Sequence, residues 1–157
     1  MNDKLLARDF SLVVIGQIVS IFGSALLRFA LNLYVLDITG RADIFALVVA
    51  ISAIPGIFFT PIGGGIADRF NRRNLMVIFD FSSSAVVLAF IVMLGTGNAS
   101  VIGIGIILAL LSIISSAYQP TVQASVPLLV SKDNLASANG LVSGLGALSG
   151  MLGPVLG

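Results

Sequence analysis

Two sets of polar side chains recur at helical spacing inside stretches that are otherwise apolar. At 100° per residue, the members of each set fall within about 120° of one another around a helix axis. The first set comprises Gln17, Ser20, Ser24, Arg28 and Asn32, and the second comprises Ser112, Ser115, Ser116, Gln119 and Gln123. Their amides, hydroxyls and single guanidinium can exchange hydrogen bonds with a solute or contact an anion. Neither set pairs a nucleophile with a base, so the residues favour binding over catalysis and no enzyme activity is predicted.

The polar faces allow two interpretations, because in hydrocarbon such a face must point toward other helices or toward a watery cavity. In the first, hydrogen bonds between helices hold a bundle together. In the second, which we favour, both sets line one cavity. Matching faces on two helices that are three apart in order indicate a three-plus-three repeat whose first members line a path. Arg28 either extends its guanidinium to the outer headgroups or lines this cavity, and we favour the cavity because intramembrane charge is costly.

Composition places these faces in a membrane. The chain of 157 residues is 57% hydrophobic and only 10% charged, whereas a soluble domain carries roughly 25% charged residues. This length accommodates about five spanning helices of ~20 residues. The net charge of +1 gives no electrostatic footprint for nucleic acid. Cysteine and histidine are absent, so no disulfide, metal site or cofactor is predicted. The predicted fold is an all-α, polytopic membrane helical bundle.

The charged residues divide the chain into spans and set its orientation. The spans are expected at about 10–36, 44–67, 75–94 and 101–118, the last extended to about 130, with a fifth that runs from 135 and is cut off at 157. With a cytoplasmic N-terminus, the cytoplasmic flanks hold Lys4, Arg8, Arg69, Arg72, Arg73 and Lys132. The outer turns hold Arg41 alone. The positive-inside rule therefore predicts that the N-terminus is cytoplasmic.

A short basic turn between the second and third spans concentrates charge between two apolar runs. Its glycine, carboxylate and cations are Gly64, Asp68, Arg69, Arg72 and Arg73. One interpretation is a solvated turn whose charges only set the topology. The other is a conformational switch, since Asp68 and Arg72 are four apart and face each other if the helix continues through the turn.

This turn carries a resemblance to a known family. Its ten residues from Gly64 to Arg73, GGIADRFNRR, resemble the loop signature between helices two and three of the major facilitator superfamily, G-x-x-x-D-R-x-G-R-[RK]. Asn71 stands where the family usually has glycine. Asparagine tolerates left-handed backbone angles better than most residues, so we interpret this departure as mild.

The resemblance extends along the chain to the drug-exporter branch that includes macrolide efflux and siderophore exporters. It rests on Gly16-Gln17-x-x-Ser20, Asp37-x-Thr39-Gly40, the loop signature, and Gln119-Pro120 through Val126-Pro127-x-Leu129-Val130. The fifth span ends in Gly153-Pro154-x-x-Gly157, which is similar to the G-P-x-x-G core of an exporter signature, and Gly150 precedes it in the same predicted motif. The same span contains three pairs of glycines four apart, which by themselves indicate close helix packing; they are Gly140/Gly144, Gly146/Gly150 and Gly153/Gly157.

The resemblance implies a fold and a mechanism. The chain is expected to be part of the N-terminal half of a major facilitator fold, in which helices one and four line the central cavity. Asp68 and its neighbouring arginines are expected to act as a latch on a helix end in the other half. The latch is released as the transporter switches between inward and outward states. No glutamate is present, and no aspartate lies in the middle of the first, second, fourth or fifth span, so the coupling ion and proton site stay unassigned.

These observations lead to one favoured function and two alternatives. We expect a segment of a secondary active exporter of drugs or other small amphipathic solutes, working by alternating access in the cell (inner or plasma) membrane. Its partners would be a small-molecule substrate, the lipid bilayer and the missing C-terminal half of the transporter. The alternatives are a small membrane scaffold that uses glycine-rich helix faces and a truncated fragment that is inactive in transport.

Overall fold

The fold consists of long α-helices joined by short turns. The computed structural model describes residues 3–97, 99–130, 134–140 and 142–144. Within these ranges the chain forms α1 (Asp3–Thr39), α2 (Ala42–Arg69), α3 (Arg72–Gly95) and α4 (Val101–Leu129). Residues 135–140 and 142–144 are also helical, and no β-strand occurs in the described ranges.

Each of the four helices is long and apolar enough to cross a membrane. The candidate spans are Val14–Thr39, Ala42–Arg69, Arg72–Gly95 and Val101–Leu128, of 24 to 28 residues, and ~20 apolar residues suffice to cross the hydrocarbon layer. Large apolar side chains on them are widely exposed, among them Ile57, Phe58, Phe81 and Ile102. Such surfaces suit contact with lipid tails. The all-α membrane bundle predicted from the sequence is confirmed.

Glycines with positive φ follow α1 and α3, and a serine hydroxyl caps the start of α4. Positive φ angles occur, among the described residues, only at Gly40 (62°) and Gly97 (70°), where a Cβ would be strained. Gly40 donates its backbone N–H to the carbonyl of Leu36 at 2.8 Å. At the start of α4, Ser100 Oγ accepts the backbone N–H of Gly103 at 3.1 Å and satisfies a donor that the first helical turn leaves unpaired.

Prolines inside α2 and α4 remove backbone hydrogen-bond donors from these helices. α2 contains Pro55 and Pro61, and α4 runs through Pro120 as one helix to Leu129. A proline has no N–H for the carbonyl four residues earlier. The Ser116 carbonyl therefore lacks its usual donor at Pro120, and neighbouring helices are the usual source of compensation in a membrane.

The chain divides into two compact units. The first comprises Met1–Phe29 with Val122–Gly157, and the second comprises Ala30–Thr121. In the first unit, the buried apolar side chains include Val14, Val122, Val126, Ala138 and Val142. In the second, they include Leu31, Val35, Val48, Leu75, Phe90, Ile104, Leu108 and Leu111.

In the second unit, α2 presents a stripe of small residues to α4. Its buried members include Ser52, Gly56, Gly63 and Ala67. A Cβ built on Gly63 would lie 2.6 Å from the Cα of Ala117 and 3.1 Å from the backbone oxygen of Ser116. The two backbones therefore approach as closely as small residues permit, which maximises van der Waals contact where no hydrophobic effect operates.

We predict that Gly63→Ala destabilises the protein by about 1–3 kcal/mol, because the added methyl group overpacks a contact between two backbones. The matched control is Gly65→Ala in the same helix, since a Cβ at Gly65 meets nothing within 4 Å. Thermal unfolding of the purified protein in detergent measures both. Equal stability of the two variants would contradict the close contact.

Candidate functional site

The first polar set lies on α1, and its members differ in hydrogen bonding. Gln17 is 1% exposed, and neither its Nε2 nor its Oε1 has a hydrogen-bond partner in the described part of the chain. The buried Oδ1 of Asn32 is likewise unpaired among the described residues. Ser20, Ser24 and Arg28 are half-buried. A buried polar group without a partner costs about 1–3 kcal/mol, so Gln17 and Asn32 are costly residues for the fold.

The serines of the second set satisfy their hydroxyls within α4. Ser115 donates to the backbone oxygen of Leu111 at 2.8 Å. Ser116 donates to the backbone oxygen of Ile113 at 2.7 Å. Bonds of this kind return a hydroxyl to the carbonyl one turn earlier in the same helix. These two hydroxyls therefore require neither a neighbouring helix nor a cavity to be satisfied.

The remaining members of the second set lie in different surroundings. Ser112 contacts α2, because its side chain and backbone are the nearest atoms to a Cβ built on Gly56. Gln119 is half-buried and Gln123 is exposed. Ser112 thus takes part in the close packing of α2 on α4. That the two polar sets line one cavity stays a prediction.

The turn between α2 and α3 is a break between two helices. α2 ends at Arg69 and α3 begins at Arg72, so the helix does not continue through the turn. Among the described residues, no ion pair joins Asp68 to Arg72. Their spacing of four therefore does not bring them together, since that spacing places side chains on one face only within a continuous helix.

Asn71 begins α3. Its side-chain oxygen accepts the backbone N–H groups of Arg73, at 3.1 Å, and of Asn74, at 3.4 Å. Its φ of −65° and ψ of 114° are extended. The sequence suggested that asparagine replaces glycine here by adopting left-handed backbone angles. The structure shows extended angles instead. Asparagine is instead a favoured N-cap, because its short side chain reaches donors that the helix leaves unpaired.

The charges of this turn face outward. Asp68, Arg69 and Arg73 are exposed, and Arg72 is half-buried. Gly64 has open space where a Cβ would lie. The carboxylate and cations at this end of α2 and α3 are therefore placed for contact with a partner helix end or with headgroups, and their role as a switch stays a prediction.

The turn between α1 and α2 holds an ion pair. Arg41 Nε donates to Oδ1 of Asp43 at 3.0 Å, and this hydrogen bond raises the pKa of Arg41. Both side chains are mostly exposed, so the pair contributes little to stability.

Part of the candidate site lies outside the described residues. This holds for the four residues of the fifth-span signature, which are Gly150, Gly153, Pro154 and Gly157. Upstream of them, within the predicted fifth span, Gly140 and Gly144 have nothing within 4 Å of a built Cβ.

Four membrane-length helices joined by short turns define a polytopic membrane protein. The particular family follows from comparison with known sequences. The chain belongs to the Major Facilitator Superfamily, whose sequence profile matches residues 13–157. The family predicted from the loop signature is therefore confirmed.

The proteins similar to this chain include two from Streptococcus pyogenes. The chain is 27% identical over 141 residues to macrolide efflux protein A of Streptococcus pyogenes. The same figures hold for the protein of that name from Streptococcus pyogenes serotype M6. In each case the match covers 90% of this chain and 35% of the relative, so the chain spans about a third of the length of these relatives. No solved structure matches the chain.

Two features of the site escaped the sequence analysis. The first is the capping role of Asn71, which could have been found from its place directly before an apolar run. The second is the packing stripe of α2, in which Ser52/Gly56 and Gly63/Ala67 are pairs of small residues four apart. That spacing is typical of close helix contacts in membranes.

We predict that Asn71→Ala lowers the stability of the protein by about 0.5–2 kcal/mol, because it removes the cap of α3. Asn71→Asp keeps an acceptor at the same position and is the matched control, with stability close to that of the wild type. Thermal unfolding in detergent distinguishes them. A loss of similar size in both variants would rule out the capping role.

Proposed function

We propose that this chain is the N-terminal transmembrane segment of a secondary active exporter that moves drugs or other small amphipathic solutes out of the cell. The match of the Major Facilitator Superfamily to residues 13–157 carries the proposal, and the similarity to macrolide efflux proteins favours export. The segment would lie in the plasma membrane with a cytoplasmic N-terminus. Further helices, supplied by the rest of the transporter, would close the central path.

The polar sets of α1 and α4 are the proposed lining of that path. Amide and guanidinium groups within a membrane are costly and are therefore functional candidates by default. Gln17 and Asn32 support this role, because both amide atoms of Gln17 and Oδ1 of Asn32 are buried and unpaired in the described part of the chain. A solute that enters between the helices would give them partners during transport. Arg28, Gln119 and the serines would add polar contacts along the same path.

The turn between α2 and α3 is the proposed switch. Asp68 presents an exposed carboxylate at the cytoplasmic end of α2, beside Arg69. Carboxylates are attracted to the positive end of a helix dipole. A helix N-terminus in the other half of the transporter is therefore a suitable partner, held in one state and released in the other.

The experiment is an efflux assay on the complete transporter that contains this segment, in bacterial cells that lack their own macrolide exporters. We predict that the wild type lowers the accumulation of erythromycin and that Asp68→Asn weakens this efflux about tenfold, a factor equivalent to ~1.4 kcal/mol. The neutral amide would bind a helix end less strongly than the carboxylate does.

The matched control is Asp43→Asn, which removes an exposed carboxylate at the opposite end of the same helix. This variant should transport as the wild type does. Unchanged accumulation with the wild-type transporter would contradict export of this solute, and equal loss in both variants would contradict a specific role for Asp68.

A further inference from the structure

The side-chain amide of Gln17 is an exception to the way this protein satisfies its buried polar groups. The great majority of buried polar side-chain atoms in folded proteins have a hydrogen-bond partner. Gln17 is 1% exposed, yet both Nε2 and Oε1 lack a partner among the described residues. Lipid offers no hydrogen bonds from outside the bundle. Two unpaired groups on one buried side chain therefore indicate a binding position for a hydrogen-bonding group that the described residues do not supply.

The other buried polar side chains show how such groups are normally satisfied here. Ser52 donates to the backbone oxygen of Val49 at 3.0 Å. Thr121 and Ser125 do the same within α4, at 2.8 and 2.7 Å. A hydroxyl on a short side chain reaches a carbonyl of its own helix. The longer amide of Gln17 makes no such bond, so burial without a partner distinguishes it from the buried hydroxyls.

The chemistry of an amide specifies what would complete it. Nε2 is a donor, Oε1 is an acceptor, and the two lie on one carbon. An anion would satisfy only the donor, and a cation only the acceptor. The charged residue on the same face of α1, Arg28, is eleven residues away, or ~16 Å along the helix axis. A neutral group that both donates and accepts, such as a hydroxyl or an amide, is the complement of Gln17.

We infer that Gln17 binds a neutral hydroxyl or amide group of the transported solute. The inference rests on the proposed function and adds to it the class of chemical group that this position selects. It assigns selection for neutral hydrogen-bonding groups to α1, independently of any charge recognition elsewhere in the transporter. Solutes that lack donors and acceptors gain nothing from Gln17.

A binding role and a structural role have opposite consequences for stability. If Gln17 held the bundle together by hydrogen bonds, an apolar replacement would weaken the fold. If its amide is unpaired until a solute arrives, an apolar side chain of similar length removes two unsatisfied groups and strengthens the fold. A gain in stability together with a loss of function is typical of functional sites that are costly to the fold.

The experiment compares the complete wild-type transporter with Gln17→Met, which keeps the length of the side chain and removes its hydrogen bonds. The matched control is Ile18→Met, which introduces the same side chain at an exposed position next to it. Efflux is measured in inside-out membrane vesicles with two probes. Erythromycin carries several neutral hydroxyl groups, and tetraphenylphosphonium carries no hydrogen-bonding group. Thermal unfolding of each purified protein is the second measurement.

We expect Gln17→Met to reduce the transport of erythromycin about tenfold, to leave that of tetraphenylphosphonium at its wild-type level, and to raise the unfolding midpoint by about 2–4 °C. Ile18→Met should change none of the three. Three results for Gln17→Met would each overturn the inference while leaving export intact. They are erythromycin transport at the wild-type level, an equal loss of transport for both probes, and a lowered unfolding midpoint. A wild-type transporter that moves neither probe would overturn export itself, and the inference with it.

Discussion

The absence of water from the hydrocarbon layer is the constraint on which this structure depends. Every buried polar group must be satisfied by the protein itself, or by whatever enters the protein. Long helices meet the constraint for the backbone, and close contact between small residues replaces the hydrophobic effect as a source of attraction between helices. The contact of Gly63 with Ala117 illustrates close contact between small residues. There, the carbonyl of Ser116, which loses its donor to Pro120, lies against a glycine of the neighbouring helix.

The same constraint divides the polar side chains into two groups that sequence alone does not separate. Hydroxyls such as those of Ser115 and Ser116 bond to carbonyls of their own helix, so they are inexpensive in a membrane and indicate little about function. Amides such as that of Gln17 are left without a partner in the described part of the chain. The amides therefore indicate a solute path more strongly than the number of polar residues in each set does.

The turn between α2 and α3 shows how local structure positions a functional motif. Asn71 ends the loop by capping α3, and the break before it separates Asp68 from Arg72. The carboxylate stays at the end of one helix and the arginines at the start of the next. Asp68 is exposed and forms no ion pair among the described residues, as the proposed switch requires.

The sequence by itself determined the class of fold, the presence of long apolar helices able to cross a membrane, and the family. These follow from runs of apolar residues and from a short motif, both of which are local properties of the chain. It could not determine that Asn71 caps a helix through its side chain, because the same residue also suits left-handed angles.

Nor could the sequence determine which polar residues have hydrogen-bond partners. Helical periodicity places Ser112, Ser116 and Gln17 on polar faces, but only the tertiary structure decides that Ser112 packs on Gly56, that Ser116 bonds within its own helix, and that Gln17 is buried without a partner among the described residues. The physical reason is that hydrogen bonding and close packing depend on distances of a few ångströms between residues far apart in sequence.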